Sequence, residues 1–247
     1  MSVRSVVGAC FVVLTVLLQV AAAQDRPSDG AIFRWNSGRW VQFEGFGSRI
    51  SVGPDGTPWV VNSKNEIYRF TGTNFDKLPG LARDIGVGGD GSAWIIGTDG
   101  GVYRWNGSDW DRVAGSGVAI SVDQSGVAWV VNASGEIYQW NGDRFIVRSG
   151  TARDIGAGRD VWIIGTDNQV YRRGPNEWMP IGGRGDRISA GAPGTAWVVN
   201  QAGEVYRWAD GSFERVGGSA LDVGSNATGE TWMIGSPRGG RQQQRRR

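Results

Sequence analysis

The 247-residue sequence contains no histidine and a single cysteine, Cys10. Without histidine the chain lacks the commonest general base and metal ligand at neutral pH, so Ser-His-Asp catalysis is excluded. A single cysteine cannot form a disulfide within the chain, and the usual zinc sites built from Cys and His are excluded as well. We therefore expect stability to come from packing, and we expect no catalytic residues, no bound metal and no cofactor.

An export signal is predicted at residues 1–23. Arg4 precedes an apolar run at residues 6–20, and Ala21-Ala22-Ala23 supplies the small residues that signal peptidase requires. The alternative is a retained N-terminal anchor, but the run is shorter than the roughly 20 apolar residues that cross a bilayer. We expect a secreted protein, periplasmic in a Gram-negative bacterium, whose mature chain has no transmembrane segment.

Basic residues are concentrated at the two ends of the chain. Six of the 26 Lys and Arg residues lie in the predicted signal or beyond residue 237, which leaves 20 against 24 acids at residues 24–236. The tail at residues 237–247, PRGGRQQQRRR, has nothing apolar to bury and is predicted to be disordered. Such a tail either binds phosphate-rich surfaces such as lipopolysaccharide or simply keeps the chain soluble, and no specific nucleic-acid binding is expected.

A repeated pattern organises the rest of the chain. A Trp followed by two aliphatic residues recurs at spacings of 33 or 35 residues, at Trp59, Trp94, Trp129, Trp162, Trp197 and Trp232. Within one period, residues 49–79, four short stretches are rich in β-branched and aromatic residues, and turn-forming residues separate them: RISVG, PWVVN, EIYRF and FDKLP. Four strands per repeat of this length are typical of one blade of a β-propeller.

The first and last repeats are each half complete. Residues 31–44 contain only the two outer strands of the period, and residues 220–235 contain only the two inner strands. Pairing of the two fragments would complete one blade, close the ring and leave no strand edge free. The sequence therefore predicts an all-β fold: a six-bladed β-propeller of four-stranded blades at residues 30–236, preceded by a short linker at residues 24–29.

A finer alternation divides the repeats into two sets. The Trp strand is followed by Asn in one set (Asn62, Asn132, Asn200) and by Gly in the other (Gly97, Gly165, Gly235). The innermost strand carries Asp84, Asp154 and Asp222 in the Gly set, against Arg49, Ala119 and Arg187 in the Asn set. We predict that these acids and arginines make hydrogen bonds or ion pairs between blades, the alternative being a ring of ligand-binding acids. The unit is a pair of blades copied three times.

The outermost strand carries the candidate binding residues. Trp40, Trp110 and Trp178 stand on it in alternate repeats, beside polar loops that contain Asn106 and Asn176. An indole can stack on the apolar face of a sugar while amides bind its hydroxyls, so these five residues are predicted to bind carbohydrate. The alternative is that each Trp lies flat over the outer edge of the propeller and seals it.

The segments DGTPWVVNSKNEIYRFTG, SGVAWVVNASGEIYQWNG and GTAWVVNQAGEVYRWADG resemble the tectonin repeat family of β-propellers. The resemblance extends over all six repeats, residues 30–236. It implies secreted or surface-exposed lectins that bind bacterial or methylated glycans, sometimes lipopolysaccharide, and also intracellular members that act as interaction scaffolds.

Three classes of function compete for this sequence. The first is a multivalent secreted lectin, in which repeated weak sites gain avidity on a glycan or lipopolysaccharide surface. The second is an interaction scaffold with a protein partner in the secreted or periplasmic space, which an uneven apolar patch would favour. The third is an enzyme, which is disfavoured because the acids recur repeat by repeat rather than as one pair facing one bond. The sequence therefore predicts a lectin and not an enzyme.

Overall fold

The computed structural model describes residues 28–236. The predicted export signal at residues 1–23, most of the predicted linker and the predicted tail at residues 237–247 lie outside the described residues. All the regular structure in the described part consists of β-strands, 21 in number. No helix in residues 28–236 is suited to crossing a membrane. The all-β prediction is confirmed.

The strands are numbered in chain order. The chain begins with β1 (Gly30–Asn36) and β2 (Arg39–Gly47). Seven strands follow: β3 (Arg49–Val52), β4 (Pro58–Val61), β5 (Glu66–Phe70), β6 (Phe75–Val87), β7 (Ala93–Gly97), β8 (Gly101–Trp105) and β9 (Trp110–Ser116). The next seven are β10 (Ala119–Val122), β11 (Ala128–Val131), β12 (Glu136–Trp140), β13 (Phe145–Ala157), β14 (Val161–Gly165), β15 (Gln169–Arg173) and β16 (Trp178–Arg184). The last are β17 (Arg187–Ala190), β18 (Ala196–Val199), β19 (Glu204–Ala209), β20 (Ser212–Ser225) and β21 (Thr231–Gly235).

Antiparallel pairing joins these strands into three sheets of seven. The strands β3 to β9 form one sheet and β10 to β16 form a second, each in chain order. The third sheet has the order β17-β18-β19-β20-β21-β1-β2, so the first two strands of the chain complete the sheet of the last five. Ile32 lies opposite Ile234 and Phe33 lies opposite Met233. The predicted pairing of the two chain ends is confirmed.

Each sheet is held together by one long strand: β6, β13 or β20. The first half of β6 pairs with β5, and its second half, from Ala82 to Val87, pairs with β7. The predicted count of six separate four-stranded sheets is therefore wrong, because the chain passes from the rim to the centre without ending a strand. Gly80 takes a left-handed φ of 81° inside β6, so the strand bends at the position where a break was expected.

The innermost strand segments form a closed ring. Starting from β3, the ring passes through the second half of β6, then β10, the second half of β13, β17 and the second half of β20, which contacts β3 again. Asp carboxylates accept backbone N–H groups at three of the six contacts: Asp84 from Ile120 at 2.8 Å, Asp154 from Ile188 at 2.8 Å and Asp222 from Ile50 at 2.9 Å. Serine hydroxyls accept at the other three, each at 2.9 Å: Ser51 from Val87, Ser121 from Ala157 and Ser189 from Ser225.

The hydrophobic core lies between neighbouring repeats. The six repeated tryptophans are at most 4% exposed, as expected of core residues. Each cluster draws side chains from two repeats; one joins Trp59 and Ile67 to Ile85 and Ile95. Burial of large side chains between repeats, rather than disulfides, therefore stabilises the ring.

Replacing Ser121 by Ala is expected to lower the free energy of unfolding by about 1–2 kcal/mol, because the Ala157 N–H loses its acceptor. Ser125, which is exposed in the neighbouring β10–β11 turn, provides the matched control. Urea denaturation of the Ser121→Ala and Ser125→Ala variants measures the difference. An equal effect of both substitutions would argue against a stabilising hydrogen-bonded ring.

Candidate functional site

The three rim tryptophans are half-buried and fixed by their indole N–H groups. Each Nε1 donates to a backbone carbonyl of the neighbouring long strand: Trp40 to Gly217 at 3.3 Å, Trp110 to Pro79 at 2.9 Å and Trp178 to Ser149 at 2.7 Å. Each ring lies against a glycine whose added Cβ would come within 2.7–3.1 Å of it: Gly218, Gly80 and Gly150 respectively. Each ring therefore joins one repeat to the preceding one, which fits the alternative that these tryptophans seal the outer edge of the propeller. The rings also remain partly exposed.

The two candidate asparagines lie in exposed turns before the rim tryptophans. The Oδ1 atom of Asn106 accepts backbone N–H groups from Ser108 at 3.0 Å and Asp109 at 2.8 Å, so this side chain shapes its own turn. Asn176 lies in the corresponding turn between β15 and β16. Trp178 lines a cavity, and Asn176 is not among the residues that line it.

That cavity, of about 270 Å³, combines an indole with hydroxyl groups and a carboxylate; its lining is Gly150, Thr151, Ile163, Gly165, Thr166, Asp167, Tyr171 and Trp178. Asp167 accepts the Gln169 N–H at 3.0 Å and the Tyr171 hydroxyl at 2.7 Å. These hydrogen bonds lower the pKa of Asp167, so its carboxylate is ionised near neutral pH. The sequence analysis did not identify Asp167 or Tyr171 as site residues. The signal was the Thr-Asp pair that precedes the Tyr strand in TDGGVY and TDNQVY.

A larger groove lies where the second sheet meets the third, and we call it the junction groove. It encloses about 490 Å³, within the range of roughly 300–1,000 Å³ that is usual for small-molecule sites. Its lining is Asn168, Gly183, Arg184, Gly185, Val198, Asn200, Gln201, Ala202, Tyr206 and Phe213. The groove thus offers aromatic and aliphatic surface together with three amides and one guanidinium.

A hydrogen-bonded turn forms one side of the junction groove. Asn200 follows β18, and its Oδ1 accepts the N–H groups of Ala202 at 3.0 Å and Glu204 at 2.9 Å. The Glu204 carboxylate accepts from the Asn200 amide at 2.9 Å and from the Tyr206 hydroxyl at 3.0 Å. These two hydrogen bonds lower the pKa of Glu204. The turn is therefore held rigidly, and Asn200 shapes it through bonds made within the protein.

The innermost acids face arginines. Asp154 lies 3.5 Å from Arg187, and Asp84 lies 3.9 Å from Arg49. Burial raises the pKa of Asp154 to about 7 and that of Asp84 to about 6, against the opposing effect of the arginines. No group of three or more candidate metal ligands occurs within residues 28–236. The predicted ion pairing across the ring is confirmed at these two acids.

Known structures similar to this one are β-propellers. The WD40 β-propeller domain of Doa1 superposes with a TM-score of 0.61 at 12% identity, over 86% of this chain and 85% of that one. The RRP9 WD40 repeats superpose with a TM-score of 0.58 at 11% identity, over 81% and 74% of the two chains. At such identities the likeness shows only that the fold is that of a β-propeller.

The model of the tectonin domain matches residues 19–97, 82–165 and 151–238, so the chain belongs to the tectonin domain family. Tectonin-2 of Physarum polycephalum is 51% identical over 37 residues, which are 15% of this chain and 10% of that protein. The chain thus matches only a small part of its curated relative's length. The family resemblance read from the WVVN repeats is confirmed.

Proposed function

We propose that this protein is a secreted, multivalent carbohydrate-binding protein, a lectin that recognises microbial or surface glycans without catalysis. The observation that carries the proposal is the junction groove, where Tyr206 and Phe213 lie beside the amides of Asn168 and Gln201. Sugar rings present apolar faces to aromatic side chains and hydroxyls to amides, and this lining has both kinds of group.

The proposal includes a finer account of the fold. Each seven-stranded sheet is counted as two four-stranded blades that share the long strand, which gives six blades and three equivalent sheet junctions. Related turns follow the Trp strand at each junction, beginning at Asn62, Asn132 and Asn200. Three related sites on one ring would bind a glycan or lipopolysaccharide surface with avidity even when each is weak. The cavity beside Trp178 is proposed as a second type of site, with Trp40 and Trp110 at the related positions.

The absence of catalysis is part of the proposal. A general acid for glycoside cleavage must hold a proton near neutral pH. Glu204, in the turn beside the junction groove, and Asp167, in the cavity beside Trp178, instead have lowered pKa values because hydrogen bonds stabilise their ionised forms. Both acids are suited to orienting neighbouring groups and unsuited to donating a proton.

An interaction scaffold in the secreted or periplasmic space is the second candidate. Phe46 is 65% exposed and Val118 is 46% exposed, and both lie at sheet junctions. Exposed apolar side chains of this size favour a protein partner. A pull-down from the secreted fraction that returns one dominant protein, and loses it with Phe46→Ser, would favour the scaffold over the lectin.

Filling the junction groove is expected to weaken binding to an array of microbial and methylated glycans at least about tenfold, because it removes one of the proposed sites and with it part of the avidity. Ala202 is exposed in the groove turn, so Ala202→Trp blocks the groove with little effect on the core. Thr73→Trp, in the exposed β5–β6 turn, is the matched control and is expected to bind as the wild type does. If the wild type binds no glycan on the array, or if Ala202→Trp binds unchanged, the proposed site is wrong.

A further inference from the structure

One sheet junction already holds a carboxylate from the chain itself. Asp29, immediately before β1, accepts the Ser63 backbone N–H at 2.5 Å and the Ser63 hydroxyl at 3.0 Å. Ser63 is the second residue of the turn that begins at Asn62, in which Asn65 N–H donates to the Asn62 carbonyl. The Asn62 side chain accepts the N–H groups of Lys64 and Glu66. No group within the turn therefore accepts the Ser63 N–H, and the Asp29 carboxylate accepts it instead.

The equivalent turn at the junction groove begins at Asn200, and no carboxylate from another part of the described chain binds it. Gly203 N–H donates to the Asn200 carbonyl, and the Asn200 side chain takes the N–H groups of Ala202 and Glu204. Gln201 therefore stands where Ser63 stands in the first turn. No atom of residues 28–236 accepts the Gln201 N–H, and Gln201 is one of the residues that line the groove.

The two junctions also differ in the side chain that lies opposite the turn. At the junction groove this side chain is Arg184, with a glycine on each side of it. At the junction beside the Asn62 turn, called the first junction, it is Phe46, again with a glycine on each side. The register is the same at both, because the glycines contact equivalent side chains: Phe213 and Val198 in one case, Phe75 and Val60 in the other. The first junction thus combines an internal carboxylate with an apolar side chain, and the junction groove combines an open N–H with a cation.

We propose that the junction groove binds the carboxylate of an acidic sugar, with the Gln201 N–H and the Arg184 guanidinium as its donors. The inference rests on the carbohydrate-binding function proposed above. One Arg184 nitrogen donates to the Asp167 carbonyl at 3.0 Å, which leaves other guanidinium N–H groups for a ligand. Hydrogen bonds between charged partners are stronger than neutral ones, so the ionised sugar gains over its neutral counterpart.

Two nearby acids, Glu204 and Asp186, are paired with arginines, and the Asp167 carboxylate accepts hydrogen bonds from Gln169 and Tyr171. Glu204 lies 3.0 Å from Arg215 and accepts the Asn200 and Tyr206 hydrogen bonds described above. Asp186, next to Gly185, lies 3.9 Å from Arg153. Both acids are paired with arginines, whereas the Arg184 side chain forms no ion pair within the described chain.

The test compares trigalacturonate with its fully methyl-esterified form, which has the same sugars without the charges, by isothermal titration calorimetry. The wild type is expected to bind the acid at least about tenfold more tightly than the ester, and Arg184→Gln is expected to remove that preference. Gln201→Pro is expected to weaken acid binding about tenfold, because it removes the N–H at a turn position that accommodates proline. Gln201→Ala retains the N–H and serves as the control.

A gain of function tests the comparison between junctions. Asp29→Ala combined with Phe46→Arg releases the Ser63 N–H and supplies a cation opposite it. The double variant is expected to bind two trigalacturonate molecules per chain, where the wild type binds one tightly. A paired measurement with 3′-sialyllactose and lactose distinguishes a sialic acid from a uronic acid as the source of the carboxylate.

Several results would overturn the inference. If the ester binds as tightly as the acid and Ala202→Trp abolishes both, the groove is a neutral-glycan site and the proposed lectin function stands. If neither probe binds while the array reports other glycans, the acidic ligand is wrong and the function again stands. An acidic peptide, acetyl-Gly-Asp-Gly-amide, that binds more tightly than trigalacturonate would replace the acidic sugar with a protein partner.

Discussion

Lowering the pH from 8 to 5 is expected to stabilise the folded protein by about 4 kcal/mol. Burial raises the pKa of Asp154 to about 7 and that of Asp84 to about 6, whereas an Asp in the unfolded chain ionises near its usual value of 3.8. The folded state therefore binds protons that the unfolded state has already released. This contribution is fully present below the unfolded pKa and is lost as the pH rises through 6 and 7.

The origin of this effect is an unequal number of buried acids and arginines. Asp84, Asp154 and Asp222 face Arg49 and Arg187, which lie on β3 and β17, while β10 has Ala119 at the third arginine position. Carboxyls with lowered pKa values, such as Asp167 and Glu204, are ionised in both states above about pH 5, so they contribute little in this window.

Urea denaturation at pH 5, 6, 7 and 8 checks the expectation. Asp154→Asn is expected to flatten the dependence above pH 6, and Ala119→Arg is expected to reduce it by supplying the third cation. Asp143→Asn, at an exposed turn position, serves as the control with an unchanged profile. A wild-type stability that stays constant or increases from pH 5 to 8 would contradict the assignment.

Trp162→Ala is expected to cost about 3–5 kcal/mol of unfolding free energy, and Trp178→Ala only about 1–2 kcal/mol. The two residues belong to the same sheet, on β14 and β16. Trp162 is 0% exposed and its Nε1 has no hydrogen-bond partner in the described chain, so its contribution comes from packing. Trp178 is half-buried and loses the hydrogen bond to Ser149 together with part of its packing.

Chemical denaturation of both variants, followed by circular dichroism, measures this difference. A Trp178→Ala loss as large as that of Trp162→Ala would show that the rim ring is a core residue. Trp178→Ala is expected to stay folded, because its expected loss is small against the stability of a typical domain, so its glycan binding can be measured. The same variant therefore separates the sealing function of the rim tryptophan from a role in binding carbohydrate.

The repeat made most of the architecture predictable. The Trp-aliphatic motif fixes which strand is buried, and the half repeats at the two ends of the chain require each other, as the pairing of Ile32 with Ile234 bears out. The continuous strand β6 could not be predicted in the same way. A Pro-Gly pair such as Pro79-Gly80 is compatible with either the end of a strand or a bend within it, and the choice depends on the tryptophan of the next repeat.

The candidate site was less predictable, because it depends on contacts between distant segments. Trp178 is visible in the sequence as a rim aromatic, but its hydrogen bond to Ser149 requires knowledge of how one strand bends. Gln201 and Arg184 look like ordinary exposed polar residues, and only the meeting of two sheets places them on one groove. Asp29 lies before the first repeat, so the repeat pattern gives no sign that its carboxylate accepts from Ser63.

Pairing of β1 with β21 also determines the point on the ring from which a fused partner would extend. An added Cβ at Gly30 would lie 1.7 Å from the Gly235 carbonyl, so the two limits of the described strands lie side by side. A cargo or tag fused at either limit would therefore leave the ring from the same point. Pulling on both limits at once would peel the adjacent strands apart one hydrogen bond at a time.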